Sequence, residues 1–174
     1  MDRETLAYDI MMKSSFMPCL VLALVTAIPA LSWADFVARV IVVHEGDQLT
    51  IHHDGRRETI YLKNIDCPDL KQPYGKQAKF ATAAYVGNRE VVVHALTRDR
   101  NGRTIAEVLL QDGRNVAHEL VKEGLAWSRP DTQEDQSLAD VEQLARAAGK
   151  GLWSEPNPVP PWKWKTAKKA SRKF

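Results

Sequence analysis

Residues 36–62 read FVARVIVVHEGDQLTIHHDGRRETIYL, three runs rich in β-branched residues separated by HEGD and by Asp54-Gly55. Asp-Gly between two such runs favours a two-residue hairpin, because both central positions of that turn need positive φ. A three-stranded meander is therefore predicted before any other part of the chain is considered. The period then changes. YGKQAKFATAAYVG puts Ala78, Ala81, Ala84 and Tyr85 on one helical face, with Gly87 where a helix would end. EVVVHAL and RTIAEVLL come next as two more strands around the charged turn TRDRNG. Asp112-Gly113 opens a short helix over Asn115–Glu123 that Gly124 stops. A third helix has Val141, Leu144, Ala145 and Ala148 at helical spacing and ends at Gly149. After Trp153 the prolines of SEPNPVPPWKWK predict an extended course. Five antiparallel strands, with a helix between the third and fourth and three helices in all, match an α+β arrangement built on the five-stranded oligonucleotide-binding Greek-key barrel (OB-fold), described as partly open. Such a fold says nothing by itself about chemistry.

The chain of 174 residues has room for one such module once its N-terminal segment is set aside. Phe16 to Leu31 is an apolar run of 16 residues, preceded by Lys13 and followed by Ser32 and Ala34 at the positions that processing before Asp35 requires. Residues 1–34 are accordingly read as a secretory signal, 35–164 as the barrel domain and 165–174 as a basic tail. Export to the periplasm or beyond the cell, no stable membrane anchor after processing and a monomeric state are the expectations. Processing would remove Cys19 and leave Cys67 alone, which excludes an internal disulfide.

From Asp35 onward the chain carries 22 Lys and Arg against 19 Asp and Glu, and its last 12 residues hold six of those cations and no acid. The body is thus mildly acidic. Affinity for a polyanion must come from a local cleft or from the tail.

Carboxylates gather at two points. Glu45 and Asp47 lie on the first turn, and Asp66 and Asp69 lie just past the third strand; in a meander these points share one edge. Acids brought together in this way call for a positive partner. A hard divalent cation would suit Asp47 and Asp66, with the Cys67 carbonyl and water completing its shell. Four solvated turn acids are the alternative that spacing leaves open.

The segments VVHEGDQLTI, IYLKNIDCPDL, QPYGKQA, RDRNGRTIAEV, ELVKEGLAW and GLWSEPNPVPPWKWK, in this order and spacing, resemble the staphylococcal nuclease (thermonuclease) family across roughly Val37 to Trp164. The resemblance implies the same barrel and a calcium-dependent phosphodiesterase that cuts DNA and RNA with little sequence preference. By position, Asp47 and Asp66 match the calcium-binding aspartates and Cys67 the residue lending its carbonyl. Arg103 matches an arginine that stabilises the phosphoryl transition state, and Arg100 a phosphate-contacting residue. Two positions depart from the family pattern: Tyr61 stands where a first arginine belongs, and Asp69 where a general-base glutamate belongs. Lys63, on the same strand face as Tyr61, is the candidate for supplying the missing charge. Tyr61 and Asp69 also separate phosphodiester hydrolysis from the alternative, a non-catalytic nucleic-acid-binding module on the same scaffold.

Overall fold

The computed structural model describes residues 35–129 and 136–171. The expected secretory signal lies outside these residues. Among the described residues no helix is long and apolar enough to cross a membrane.

The meander forms as its turn residues dictate. Strand β1 (Phe36–Glu45) pairs antiparallel with β2 (Gln48–His53), and β2 with β3 (Arg56–Leu62). At the second hairpin Asp54 and Gly55 take φ of 46° and 72°, the left-handed pair that a two-residue turn requires. A two-residue strand β4 (Ile65–Asp66) precedes helix α1 (Gly75–Val86), and β5 (Glu90–Arg98) and β6 (Thr104–Leu109) complete the barrel. Side chains alternating along these strands meet inside, where Val40, Leu49, Ile51, Ile60, Val91 and Val93 are fully buried. Helix α2 (Val116–Lys122) closes one end with Val116, Leu120 and Val121. Its N-terminus is capped by the side-chain oxygen of Asn115, which accepts from the Ala117 N–H at 2.9 Å.

The expected five-stranded barrel with flanking helices is present, and three details differ from the expectation. The barrel is closed and mixed, in the order β1-β2-β3-β6-β5, with β3 and β6 parallel. Such closure joins distant segments, Ile60 to Thr104 for example, which no local pattern specifies. Helix α3 (Gln136–Ala147) buries Leu138, Glu142 and Ala145, whereas Leu144 is 71% exposed. Its inner face is turned by Glu142, whose Oε2 accepts from the Ser128 N–H at 3.0 Å and whose Oε1 takes both Nε and Nη2 of Arg146.

The tail is the third difference. A 3-10 turn over Gly151–Ser154 leads into a non-helical stretch, but Pro161–Ser171 forms a fourth helix, α4. The last proline of the run begins the helix instead of preventing it, because its fixed φ and missing N–H suit the first helical position. A second short ribbon lies beside the barrel: β4 pairs with β7 (Trp127–Ser128), placing Asp66 opposite Trp127.

Candidate active site

The acidic turn is held down by packing. Thr82 of α1 donates its hydroxyl to the Gly46 carbonyl at 2.6 Å, and a Cβ on Gly46 would fall 2.7 Å from Cys67 Sγ and 2.8 Å from Ala78 Cβ. Only glycine lets the turn approach this closely. Asp47, the next residue, is thereby pressed inward to 8% exposure. Its carbonyl accepts from the Leu62 N–H at 2.8 Å, and its Oδ2 accepts from the Cys67 N–H at 3.2 Å. One residue thus ties the β1–β2 turn to the ends of β3 and β4. Asp66, at 7% exposure, stands on β4 beside it. Burial, followed by the neighbouring charge of Asp66, pushes the Asp47 carboxyl up to about 6 despite the Cys67 N–H.

Glu45, Asp47 and Asp66 line a cavity of about 230 Å³ together with Tyr61, Asp99, Arg103, Arg129 and Lys165. Its far wall is built by the β5–β6 turn. Asp99 Oδ1 accepts from the N–H groups of Asn101 and Arg103, both at 2.9 Å, and its Oδ2 takes Arg103 Nε at 2.6 Å. Desolvation works against the Asp99 carboxylate, but these hydrogen bonds outweigh it and hold the group below its ordinary pKa. The guanidinium of Arg103 then lies 4.9 Å from the centre of the Tyr61 ring. Tyr61 is fixed in turn, its hydroxyl accepting from Gln48 Nε2 at 2.8 Å across the β2–β3 pair. Tyr61 is therefore a platform under the arginine. Asp99 and Tyr61 thus hold the guanidinium from two sides at the wall of the cavity.

Positive charge also reaches the carboxylates from a place that no local motif marks. Lys165 of α4 puts its Nζ 3.2 Å from Asp66 Oδ1, across 99 residues of sequence. Desolvation opposes its charged form, yet the charge and hydrogen bond of Asp66, with Asp47 and Glu45 behind, raise the lysine above its ordinary pKa. Arg129, just after β7, lines the same cavity, its N–H donating to the Asn64 carbonyl at 2.9 Å. Each arrives through long-range pairing, Arg129 by the β4–β7 ribbon and Lys165 by the tail helix.

Of the residues singled out from sequence, Asp47, Asp66, Tyr61 and Arg103 are brought together, and Cys67 adjoins them through its backbone N–H. Its thiol is buried, and burial followed by Asp47, Asp66 and Glu45 raises its pKa well above the usual thiol value, so it is no nucleophile. Asp69, Lys63 and Arg100 do not line the cavity. Asp69 belongs to the turn before α1, with its Oδ1 accepting from the Lys71 N–H at 3.1 Å and its own N–H donating to Gln72 Oε1 at 2.9 Å. Lys63 follows the end of β3, where its backbone N–H donates to the Ala106 carbonyl at 2.9 Å. Arg100 is exposed at the tip of the β5–β6 turn.

Among the described residues no three His, Cys, Asp or Glu side chains are placed to hold a metal ion by themselves. A cation here would rest on Asp47 and Asp66, with carbonyl and water oxygens completing its shell. That all-oxygen, two-carboxylate set fits a hard divalent ion. Burial first, and the charge of Asp66 second, work against the ionised form of Asp47, and a cation between the two carboxylates would offset both.

Comparison with known proteins gives concordant matches. Residues 59–155 match the family model described as staphylococcal nuclease homologue. The chain is 36% identical over 135 residues to an uncharacterized endonuclease of Escherichia coli O157:H7, covering 78% of this chain and 88% of that protein. It is 34% identical over 152 residues to protein ParB of Escherichia coli, covering 82% and 85%. It is 33% identical over 159 residues to a micrococcal nuclease of Shigella flexneri, covering 84% and 88%.

Proposed function

Because this chain belongs to the staphylococcal nuclease homologue family, we propose that it is a calcium-dependent endonuclease that hydrolyses the phosphodiester backbone of DNA or RNA with little sequence preference. The observation that carries this reading is the cavity that Asp47 and Asp66 share with Arg103. Backbone recognition needs charge and shape but no base-reading groups, and the cavity is lined mainly by ionic side chains, with Tyr61 as its aromatic member.

Asp47 and Asp66 hold the cation in this reading, with the Cys67 carbonyl beside them. Calcium, when bound, supplies Lewis-acid polarisation of the phosphate. Arg103 stabilises the negative charge that grows on the phosphoryl oxygens, and its pairing with Asp99 and stacking on Tyr61 fix it in advance so that no reorganisation is needed during reaction. A carboxylate must take the proton of the attacking water. Asp69 is the candidate by sequence position and Glu45 by its place in the cavity wall; the wall favours Glu45. Glu45→Gln should then cost more in rate than Asp69→Asn.

The test is cleavage of single-stranded DNA and RNA by the purified protein, with calcium and then with a chelator. Calcium-dependent products that vanish in Asp66→Ala are expected. Cleavage unaffected by the chelator, or surviving in Asp66→Ala, would refute the cation role; binding without any cleavage would refute the enzyme.

A further inference from the structure

The ammonium of Lys165 lies where a divalent cation held by Asp47 and Asp66 would act. Its Nζ contacts Asp66 Oδ1 at 3.2 Å, and Asp47 and Glu45 line the same cavity. The contact is not a wandering surface pair, because the helix that carries it is fastened on the ribbon that carries Asp66. Trp162 packs edge-on against Trp127, with ring centres 5.9 Å apart, and Trp127 is the β-partner of Asp66. Just before the helix, the Val159 carbonyl accepts from Gln72 Nε2 at 3.0 Å, and Gln72 is itself buried. Trp162 and Lys165 are three residues apart and share one face of α4. Docking of the tryptophan therefore aims the lysine at the carboxylates.

Resting on the cation-site reading, we propose that Lys165 is an intramolecular counter-cation of the Asp47–Asp66 pair, so that docking of the C-terminal helix and binding of a divalent cation compete for the same oxygens. A carboxylate oxygen cannot coordinate a divalent ion at about 2.4 Å while an ammonium stays in contact with it without two like charges being forced together. Cation binding must then swing Lys165 away, and the docked tail must weaken cation binding to the same degree, since the coupling is reciprocal. The side chain of Lys165 is 50% exposed, so the competition is moderate and the ammonium has a route to solvent. In the cation-free protein the same contact offsets the repulsion between the two aspartates. The tail helix thus steadies the cation-free state and sets the threshold for loading it.

The competition is tested by calorimetric titration of calcium into the full chain, without nucleic acid, for the wild type, Lys165→Ala and Lys165→Arg. Lys165→Ala should bind calcium about 5- to 10-fold more tightly, and Lys165→Arg close to wild type. Amide hydrogen exchange supplies a second readout, in which saturating calcium should speed exchange across residues 162–171 of the wild type. Equal affinities for wild type and Lys165→Ala, both lost in Asp66→Asn, would overturn the competition and leave the cation site standing. Calcium bound by none of the proteins would overturn the cation site itself, and the competition with it.

Discussion

Asp47 shows how one residue can serve a site at the expense of the fold. Its carboxyl pKa is about 6 in the folded protein against an ordinary 3.8. Between these values the folded chain binds a proton that the unfolded chain releases, so this group's contribution to stability is full below about pH 4 and is lost as pH rises through about 6. At neutral pH the ionised carboxylate is a liability unless a cation joins it. Asp47→Asn keeps an acceptor for the Cys67 N–H and removes the charge, so at pH 7 in a chelator it should raise stability by about 1–3 kcal/mol. At pH 4 it should change little, and thermal unfolding at the two pH values would check both statements. Arg103 is the opposite case, a residue whose value in the proposed nuclease is catalytic. Replacing it with alanine should lower the rate of phosphodiester cleavage by about 10³. The melting temperature should move little, because its exposed pairing with Asp99 adds little to stability.

At the scale of elements, the site depends on how closely α1 and the β1–β2 turn approach. The hydroxyl of Thr82 is buried on the Gly46 carbonyl, and a methyl at Gly46 would overlap both Cys67 and Ala78. Gly46→Ala should therefore destabilise the protein by about 1–3 kcal/mol, lowering the denaturation midpoint, and displace Asp47, weakening the proposed cation site as well. The β4–β7 ribbon is held from the other side by α3. There Arg146 places its guanidinium 3.7 Å from the ring centre of Trp153 and 5.0 Å from that of Trp127, while Glu142 grips both Arg146 and the Ser128 backbone. Arg146→Ala would strip the partner from a buried glutamate and should cost about 2–4 kcal/mol in unfolding free energy, measurable by denaturant titration. The barrel strands and the first three helices were legible from period and punctuation, Asp54-Gly55 above all, whereas α4 and the β4–β7 ribbon were not. The inner face of α3 was not, because burial of Glu142 reflects partners on β7 and not the apolar spacing of its own helix.

For the whole molecule, electrostatics bounds what binding can look like. The body outside the tail is mildly acidic, and the cavity offers Arg103, Arg129 and Lys165 as its cations. Single-stranded DNA held there can release few counterions, so the slope of log affinity against log salt should not exceed about 2 in magnitude, from about 0.7 per neutralised phosphate. A much steeper slope in a binding assay with the Asp66→Ala variant, without calcium, would point to the tail as the main nucleic-acid contact.

The amino-acid sequence by itself determined the β-meander, its Asp-Gly turn, the alternating core and the identity of Asp47, Asp66, Tyr61 and Arg103. The meander, its turn, the core and the gathering of Asp47 and Asp66 are written in local period or spacing, whereas Tyr61 and Arg103 were marked by the resemblance to the family. Tertiary structure alone decided the rest. It joined β3 to β6 in parallel and turned Asp69 into a part of the loop before α1. It made a stacking platform of Tyr61, and it carried Arg129 and Lys165 to carboxylates far away in the chain. The reason is physical: a turn or an alternation is set by neighbouring dihedrals and side chains, whereas a contact across 99 residues exists only when every packing step between its ends has already been made.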